Sequence, residues 1–335
     1  MPDLGKVDRE FFAEYVRPRL GADRSDVRLG PTHGVDFGVV DVDGTALVVA
    51  TDPVSILPAL GFERAGRFAL DIVLADVAVS GIPPSHLAIS FSLPPEMTDA
   101  EFAAVWSAID EEATDLGTSV VTGHTARYSG VSYPWVGGAT AMAVGDHGDV
   151  VRPDAARPGD DLLLTKGPAV ESVGLLTTLF PDAVSLPADT LATAQERLDE
   201  ASAVRDALTA AAAGPVTAMH DVTEGGVYGA LNELAASAGV RVEVDREAVP
   251  IRPGVLEACE ALGFDPWTAT SSGSLLVAVD PSGTDDVLAA LDDRGTPAAR
   301  VGRVSDGAGV YVDGDLVEPP EQDSSWAVYA ALAGD

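Results

Sequence analysis

Apolar residues recur along the chain at two spacings, every second position in some segments and every third or fourth in others. Alternation is typical of strands, and the longer spacing is typical of amphipathic helices. In FGVVDVDGTALVVATD the dipeptide Asp43-Gly44 predicts a hairpin between two strands. The other elements predicted in this half are helices in REFFAEYVRPRL, RAGRFALDIVLADVAVSG and DAEFAAVWSAIDEEATDLG, and strands in SHLAISFSLP, TSVVTGHTARY and YPWVGGATAMAVG.

A segment rich in proline and charge, DVVRPDAARPGD at residues 149–160, is the best candidate for a domain boundary. Beyond it, strands are predicted in DLLLTKG, PVTAMHD, VRVEVD, GSLLVAVD, AARVGRV and GVYVDG, and helices in residues 169–213, in the stretch ending at residue 238, in PGVLEACEALG and in TDDVLAALDDRG. Hairpins, strands and helices are mixed rather than wound as uniform βαβ units. The pattern therefore predicts an α+β protein with two domains, residues 1–150 and residues 151–335.

The composition is strongly acidic, which limits the partners that we expect. The 335 residues include 53 Asp and Glu but only 20 Lys and Arg, a formal net charge of −33. Such a surface repels nucleic-acid phosphates and anionic membranes, so we expect neither as a partner. Because the acids are scattered rather than run together, we favour adaptation to high salt (a halophilic protein) over an acidic docking surface, since salt screens their repulsion.

Cysteine content and hydropathy exclude further classes. The single cysteine, Cys259, excludes an internal disulfide and a cysteine-rich metal site. Its helical spacing in VLEACEALG indicates a small core residue rather than a nucleophile. The start MPDLGKVDREFF has no apolar signal region, and no apolar run approaches the length of a membrane span. We therefore expect a soluble, cytoplasmic protein.

Familiar phosphate-binding and catalytic motifs are absent, and aspartates at the ends of apolar elements remain. The Lys-Gly of TKGPAV is weak evidence and is more typical of a turn. Asp36 precedes a strand, Asp52 follows ALVVAT, Asp76 lies on the apolar margin of a helix, and Asp221 ends PVTAM. Each alone has a structural alternative as a turn, a cap or a solvated residue. Together they are the hard oxygen ligands that Mg²⁺ takes beside phosphates.

The stretch AMHDVTEGGVYGALNELAASAG, residues 218–239, predicts a strand, a corner and a helix with one apolar face. Thr223 begins the helix and Gly239 ends it. Gly225-Gly226 in the first turn costs helix propensity, roughly 1 kcal/mol each, which indicates that a ligand or a neighbouring element approaches the backbone closely. A helix N-terminus is also a natural phosphate site. Ligand binding and tight packing both stay open for this corner.

Several of these stretches together resemble one family. TD at 51–52, LADVAVSGIPP at 74–84, VVTGHT at 120–125 and MHDVTEGGVYGALNELA at 219–235 occur in the order seen in the aminoimidazole ribonucleotide synthetase (PurM) superfamily. The resemblance extends from residue 30 to the end of the chain. It is strongest to the HypE-like hydrogenase maturation proteins, because DVTEGG is similar to their Asp-x-Thr-Arg-Gly-Gly. Thiamine monophosphate kinase and selenophosphate synthetase are more distant.

The resemblance implies a two-domain fold and a homodimer whose N-terminal domains join into a β-barrel, with a C-terminal α/β sandwich. It also implies ATP in the cleft, Mg²⁺, a small-molecule substrate and a maturation partner protein. The residues that it assigns fall into three groups. They are the metal ligands Asp36, Asp52 and Asp76, the nucleotide-binding residues Asp36, Asp52, Thr125, Thr223, Gly225 and Gly226, and the catalytic residues His124 and Asp221.

The chain departs from the family pattern at three places. Gly123-His124-Thr125 stands where the family usually has Gly-Asp-Thr, so an imidazole replaces one metal carboxylate; His124 contacts a phosphate or substrate, or is merely structural. The glycine-rich N-terminal phosphate loop is not evident, and GPTHGVDFG is its nearest equivalent. The HypE-like proteins end in a reactive cysteine, whereas this sequence ends in VYAALAGD. We therefore expect no carbamoyl dehydration at its own terminus.

Two functions follow from these observations. The first is an enzyme that uses ATP and Mg²⁺ to phosphorylate or activate a small metabolite, and the surviving aspartates favour it. The second is a nucleotide-binding accessory or scaffold protein without catalysis, which the missing terminal cysteine and the histidine at position 124 favour. Hydrolysis of ATP with candidate metabolites separates them.

Overall fold

The structure is a computed structural model that describes residue 7 and residues 9–334. The described residues divide into two compact units. The N-terminal unit contains Asp26–Gly30 and Asp36–Val150. The C-terminal unit contains the described residues before Asp26, the segment Pro31–Val35, and the residues from Val151 onward. The chain passes from one unit to the other within the proline-rich segment 149–160.

The opening helix is irregular. It begins as α1 (Arg9–Phe11), continues as a π-helical stretch at Phe12–Val16 and closes as a 3-10 turn at Arg17–Arg19. The helix predicted from REFFAEYVRPRL is thus present as a helical segment but not as one continuous α-helix.

The N-terminal unit is a six-stranded sheet with strand order β1-β2-β3-β6-β4-β5, in which only β4 and β5 pair in parallel. Helices α2 and α3 pack against each other, and α2 packs against β3 and β6. The strands are β1 (Val27–Leu29), β2 (Gly38–Val42), β3 (Thr45–Ser55), β4 (Pro84–Leu93), β5 (Ser119–Arg127) and β6 (Trp135–Gly145), and the helices are α2 (Phe62–Ala78) and α3 (Asp99–Asp115).

Local sequence signals explain these elements. Asp43 and Gly44 both have positive φ, 51° and 87°, as a two-residue hairpin turn requires, which confirms the predicted hairpin. Helix α3 begins with a capping box, in which the Thr98 hydroxyl accepts from the Glu101 amide and the Glu101 carboxylate accepts from the Thr98 amide. The hairpin and helix α3 were both predicted correctly, because the signals for each lie in adjacent residues of the sequence.

The C-terminal unit contains a seven-stranded sheet with strand order β13-β12-β9-β11-β7-β10-β8. Strand β10 is antiparallel to both β7 and β8, so β7 and β8 end at the same edge of the sheet. The strands are β7 (Asp161–Thr165), β8 (Val216–Asp221), β9 (Arg241–Val244), β10 (Leu275–Val279), β11 (Ala298–Ser305), β12 (Gly309–Val312) and β13 (Asp315–Val317). The helices are α4 (Val170–Leu179), α5 (Ala188–Gln195), α6 (Val204–Ala213), α7 (Gly226–Ala238), α8 (Val255–Leu262), α9 (Thr284–Asp293) and α10 (Ser324–Ala333).

Helix α7 covers one face of this sheet. Its apolar residues pack into one cluster with alternate residues of the strands, among them Val242, Val301 and Val310. A second cluster joins α4 and α8 and contains Cys259, which is 2% exposed. Burial raises the pKa of the Cys259 thiol to about 12. The interpretation of Cys259 as a core residue is confirmed.

Three elements were missed in the sequence. Strands β1 and β13 have three residues each, too few to show an alternating pattern. Helix α10 reads SSWAVYAALA and is apolar around most of its circumference, so it lacks the polar face by which amphipathic helices are recognised. Within the described residues, no helix combines the length and the apolar character needed to cross a membrane.

Candidate functional site

The corner that carries His220 and Asp221 lies at the end of β8. Both side chains are buried, at 1% and 3% exposure. The His220 Nδ1–H donates to the Asp221 carbonyl oxygen at 2.7 Å, because a carbonyl oxygen can only accept. Its Nε2 lies 3.3 Å from a Glu233 carboxylate oxygen on α7. Asp221 does not cap α7, since the N-cap position is Gly225 and no side chain caps it.

The backbone of Trp267 and Ala269 lies so close to Gly226 that a side chain does not fit at this position. Gly225 and Gly226 have φ of +81° and +60°, the left-handed region that favours glycine. A Cβ at Gly226 would lie 2.6 Å from the Ala269 carbonyl oxygen and 2.8 Å from that of Trp267. The two glycines lie at the start of α7, as predicted, but their positive φ means that the cost in helix propensity does not apply to them. Of the two alternatives for Gly226, the neighbouring element is the one that the structure supplies.

A carboxylate of the protein occupies the start of α7. One Asp323 oxygen accepts from the Gly225 amide at 3.0 Å and from the Thr270 amide and hydroxyl at 2.8 and 2.6 Å. The other accepts from the Ser325 amide and hydroxyl, which begin α10. Asp323 therefore joins α7, α10 and the segment at residues 269–274. Sequence reasoning missed it, although an aspartate before Ser-Ser and an apolar run is an N-cap signal.

A second strand–helix corner lies at the same sheet edge, between β7 and α4. The Gly167 carbonyl oxygen there accepts from the Ser271 and Ser274 hydroxyls at 3.0 and 2.7 Å. The Ser271 hydroxyl in turn accepts from the Val170 amide at the start of α4. Ser271 and Ser274 belong to the segment that leads into β10, which runs between β7 and β8. This serine-rich segment thus connects the two corners.

Glu171, in the first turn of α4, is the group at this edge with the most altered acidity. Its carboxylate accepts from the Ser272 amide at 3.2 Å. Burial raises the pKa of Glu171 to about 7, against the effect of the Ser272 bonds, and the charges of Glu224 and Asp323 add to the rise. A carboxyl that titrates near neutral pH can both take and give a proton. It was not selected from the sequence, because a single glutamate after Lys-Gly-Pro-Ala carries no pattern.

The Lys166 side chain is buried beside this second corner. Its ammonium group donates to the carbonyl oxygens of Glu200, Ser202 and Gly273 at 2.7–3.0 Å and lies 2.8 Å from an Asp206 carboxylate oxygen. Burial disfavours the Asp206 charge, but Lys166 together with the hydrogen bonds from Thr296 and Arg294 holds the Asp206 pKa below its usual range. The backbone turns at Lys166 and Gly167, which both have positive φ, as the Lys-Gly pair indicated, and the lysine side chain adds buried contacts to this turn. Its role is structural, because every one of its N–H groups faces a protein oxygen.

In the N-terminal unit, Asp52 and Asp76 lie on elements that pack together. Asp52 has the same parity in β3 as the buried Ala46, Val48 and Ala50, so it faces the side of the sheet that α2 covers. Asp76 is half-buried on α2 itself, and Asp36 is half-buried just before β2. All three offer carboxylate oxygens, the donors that Mg²⁺ prefers.

His124 and Thr125 lie on β5, away from Asp52 within one chain. Asp52, Ala139, Ile89 and Gly123 form one row across β3, β6, β4 and β5, and three strand spacings amount to about 14 Å. His124 is one residue beyond this row and therefore points to the opposite face of the sheet from Asp52. Its Nε2 lies 3.1 Å from the Tyr128 hydroxyl, and both side chains are exposed. The structure does not bring this imidazole beside Asp52.

Comparison with known proteins identifies the family. The model of the AIR synthase related protein, N-terminal domain, matches residues 34–145, and that of its C-terminal domain matches residues 157–315. Carbamoyl dehydratase HypE of Azotobacter vinelandii is 30% identical over 310 residues, which cover 90% of this chain and 84% of that protein. The chain belongs to the AIR synthase-related family, as a HypE-like member.

Solved structures of HypE support this assignment. The crystal structure of E. coli HypE superimposes on the HypE-like chain with a TM-score of 0.72 at 25% identity, over 94% of this chain and 96% of that one. A structure of HypE in complex with ATP gives a TM-score of 0.70 at 23% identity, over 96% and 97% of the two chains. The predicted resemblance is confirmed, and the mixed α+β architecture is that of the family.

Proposed function

We propose that the HypE-like chain is an ATP- and Mg²⁺-dependent enzyme that phosphorylates or otherwise activates a small-molecule acceptor. The observation that carries the proposal is the position of Glu171, whose carboxylate accepts from the Ser272 amide at the sheet edge where two strand–helix corners meet, and burial there raises its pKa to about 7. Family membership supports the nucleotide, since one of the structurally similar HypE proteins is in complex with ATP. In this proposal, the N-terminal domain predicted at residues 1–150 binds ATP and dimerises through the parts that form the N-terminal unit, Asp26–Gly30 and Asp36–Val150, and the domain predicted at residues 151–335 is the second, sandwich domain.

Asp36, Asp52 and Asp76 would hold Mg²⁺ in the N-terminal unit. Their fit rests on donor chemistry and on the packing of α2, which carries Asp76, against β3, which carries Asp52. When bound, Mg²⁺ neutralises charge on the nucleotide phosphates. The carboxylates hold the ion, and Thr125 contributes a hydroxyl donor to the nucleotide.

The C-terminal unit would bind the acceptor and remove its proton. An acceptor oxygen attacks the γ-phosphorus of ATP, the bond from that phosphorus to the oxygen shared with ADP breaks, and the acceptor proton passes to the Glu171 carboxylate. His220 and Asp221 position the acceptor through their buried corner, with Thr223 beside them. Because Glu171 must be ionised to accept a proton, turnover should rise with pH through about 7.

The test follows ATP and its products by phosphorus NMR with Mg²⁺ and a panel of small acids, amides and alcohols, between pH 5.5 and 8.5 (roughly one and a half units on either side of the Glu171 pKa). We expect acceptor-dependent ADP formation with an inflection near pH 7, which Glu171→Gln abolishes while Mg²⁺-ATP binding stays. Glu257→Gln is the matched control, since Glu257 is an exposed glutamate in the first turn of α8. Turnover unchanged in Glu171→Gln would remove this residue from the mechanism.

A homodimer is part of the proposal, and β5 supports it. Among the described strands, this edge strand of nine residues pairs with β4 alone, and nearly all of its side chains are exposed on both faces. Val120 and Val121 are 41% and 52% exposed. An unpaired strand edge with apolar side chains is a site for pairing with another chain. A second copy that pairs there would extend the sheet towards the barrel expected of the family.

A non-catalytic nucleotide-binding accessory protein that acts with a maturation partner is the second candidate. The observation that favours it is Asp323, because this carboxylate already binds the Gly225 amide at the helix start where a phosphate was expected. The same NMR experiment separates the two candidates. Binding of Mg²⁺-ATP without consumption under any acceptor would favour the accessory protein.

A further inference from the structure

One face of the C-terminal sheet carries a cavity over β9, β11 and β12. In β9, Val242 and Val244 are buried against the α7 side, so Arg241 and Glu243 point to the opposite face. Cross-strand pairing places Arg303 beside Glu243 on that same face, and Tyr311 of β12 pairs with Glu243 as well. These side chains line a cavity of about 600 Å³ together with Asp161 and Arg300.

Three arginines line the cavity of this acidic chain together with three acids, Asp161, Glu243 and Asp245, so the formal charge of the lining is zero. Arg241, Arg300 and Arg303 are three of only 20 lysines and arginines, against 53 aspartates and glutamates. The Arg241 guanidinium carbon lies 3.8 Å from the centre of the Tyr311 ring, a cation–π contact. Stacking fixes the plane of the guanidinium group. Its N–H groups lie in that plane and therefore do not point at the ring, so they stay available to an acceptor. This arginine is therefore ordered before any ligand arrives.

Two of the three guanidinium groups share one carboxylate. Glu243 lies 3.0 Å from Arg241 Nε through one oxygen, and its other oxygen accepts from Arg303 Nε at 2.8 Å. The Arg303 hydrogen bond holds the pKa of Glu243 below its usual range, so this carboxylate is charged at neutral pH. Glu243 thus supplies one negative charge for two guanidinium groups. Among the described residues, the buried Arg241 Nε also meets no acceptor in hydrogen-bonding geometry.

The other acids of the lining are already engaged. Asp161 lies 3.2 Å from Arg300 Nη1 through one oxygen, and its second oxygen accepts from the Thr284 hydroxyl at 2.8 Å. Asp245 accepts from the Glu247 amide. Arg300 and Arg303 are 62% and 71% exposed, so an anion in solution reaches them freely.

We infer that this cavity binds a small phosphate-bearing anion, at a site separate from the two strand–helix corners. Planar guanidinium forks bind phosphate oxygens in pairs, and the volume lies within the range of small-molecule sites, roughly 300–1,000 Å³. Asp161 begins β7 and Lys166 follows its end, so the cavity and the corner lie at opposite ends of that strand, about 13 Å apart.

The probe is inorganic pyrophosphate without Mg²⁺, titrated by calorimetry at fixed chloride concentration. We expect saturable binding of one anion per chain. The double variant Arg300→Gln/Arg303→Gln should weaken it by about tenfold or more. The control Arg28→Gln/Arg67→Gln should not, since it removes the same charge from two carboxylate-paired arginines of the N-terminal unit. Tyr311→Leu, which frees Arg241 without a change in charge, should also weaken binding.

Several results would overturn the inference: no saturable binding to the parent chain, equal affinity in the arginine double variant and its control, or preference for an acidic peptide over pyrophosphate. The inference does not depend on the proposed function. Asp52→Asn should lose the response to Mg²⁺-ATP and keep that to pyrophosphate, whereas the arginine double variant should do the reverse. Failure of one site is therefore distinguishable from failure of the other.

Discussion

At the scale of single residues, the sequence located the β8–α7 corner but not the reason for its composition. Gly225 and Gly226 were recognisable as unusual at a helix start. The atoms that require Gly226 belong to Trp267 and Ala269, some forty residues further along, and no local pattern reveals them. Glu171 shows the same limit, since its pKa depends on burial and on Glu224 and Asp323, which only the fold brings near.

The corner predicts that Gly226→Ala damages the fold itself. A methyl group there would meet backbone oxygens at 2.6–2.8 Å in a left-handed conformation, which together should cost about 2–4 kcal/mol in the free energy of unfolding. Gly239→Ala at the other end of α7 is the control, because its φ is +67° but open space surrounds it. It should lose only about 1 kcal/mol. Urea unfolding measures both, and equal losses would show that the contact with Ala269 does not matter.

Glu171 predicts a pH-dependent stability. Its pKa in the folded state, about 7, is above the usual 4.5, so folding favours the protonated carboxyl. That contribution is complete below about pH 4.5 and is lost as the pH rises through 7; the shift corresponds to at most about 3 kcal/mol. Glu171→Gln, which is always neutral, should flatten this part of the profile and be at least as stable at pH 8. Urea unfolding at pH 5 and pH 8 checks this, with Glu257→Gln as control; parallel profiles in all three chains would contradict it.

At the scale of elements, those with a clear period or a local turn signal were predicted correctly. The hairpin at Asp43-Gly44 and helix α3 are examples, and so are the apolar stripe of α7 and its end at Gly239, because these signals lie within the element. The predicted start of α7 at Thr223 was wrong, since its N-cap is Gly225 and the carboxylate there comes from the distant Asp323. Helix α10 and the three-residue strands were not recognised, since they are fixed by what they pack against. Strand β5 was predicted correctly as a strand. Its position at an exposed edge depends on the order of strands in the sheet, which cannot be predicted from the residue pattern of a single strand.

The exposed edge predicts the oligomeric state. The chain should form a dimer of twice 34.3 kDa through β5. Val121→Lys should give a monomer with an unchanged circular dichroism spectrum, because strand edges with an inserted charge pair poorly. Val27→Lys, at an exposed position on the opposite edge strand β1, should leave the dimer intact. Light scattering after size exclusion measures the mass, and a monomeric parent chain would refute dimerisation through β5.

At the scale of the whole molecule, composition and charge bounded the class of protein, and the family resemblance supplied the fold. Division into two units with a mixed sheet each was accessible from the alternation of elements and the proline-rich segment. The roles of Asp36, Asp52, Asp76 and His124 remain predictions, since they were assigned from motifs. The structure bears on one of these roles, because it places the His124 side chain on the opposite face of the sheet from Asp52 within one chain.

The net charge of −33 predicts that stability depends on salt. Repulsion between acids is screened within ~3 Å at 1 M salt but extends to ~30 Å at 0.01 M. The melting temperature should therefore fall by several degrees as potassium chloride is lowered over this range. Sucrose at matched osmolality is the control for effects unrelated to charge. A constant melting temperature would mean that the acids are compensated locally and that the chain is not adapted to salt.

The most direct test of the central claim is the melting temperature with and without Mg²⁺-ATP. The parent chain should be stabilised, by about 2.7 kcal/mol at a ligand concentration one hundred times the dissociation constant. Asp52→Asn should keep the fold and lose this response, while Asp110→Asn, an exposed aspartate on α3, should retain it. Stabilisation of the parent and the control but not of Asp52→Asn is the predicted result. No stabilisation of the parent chain by any nucleotide at millimolar concentration (roughly 4 kcal/mol of binding free energy or less) would contradict both proposed functions.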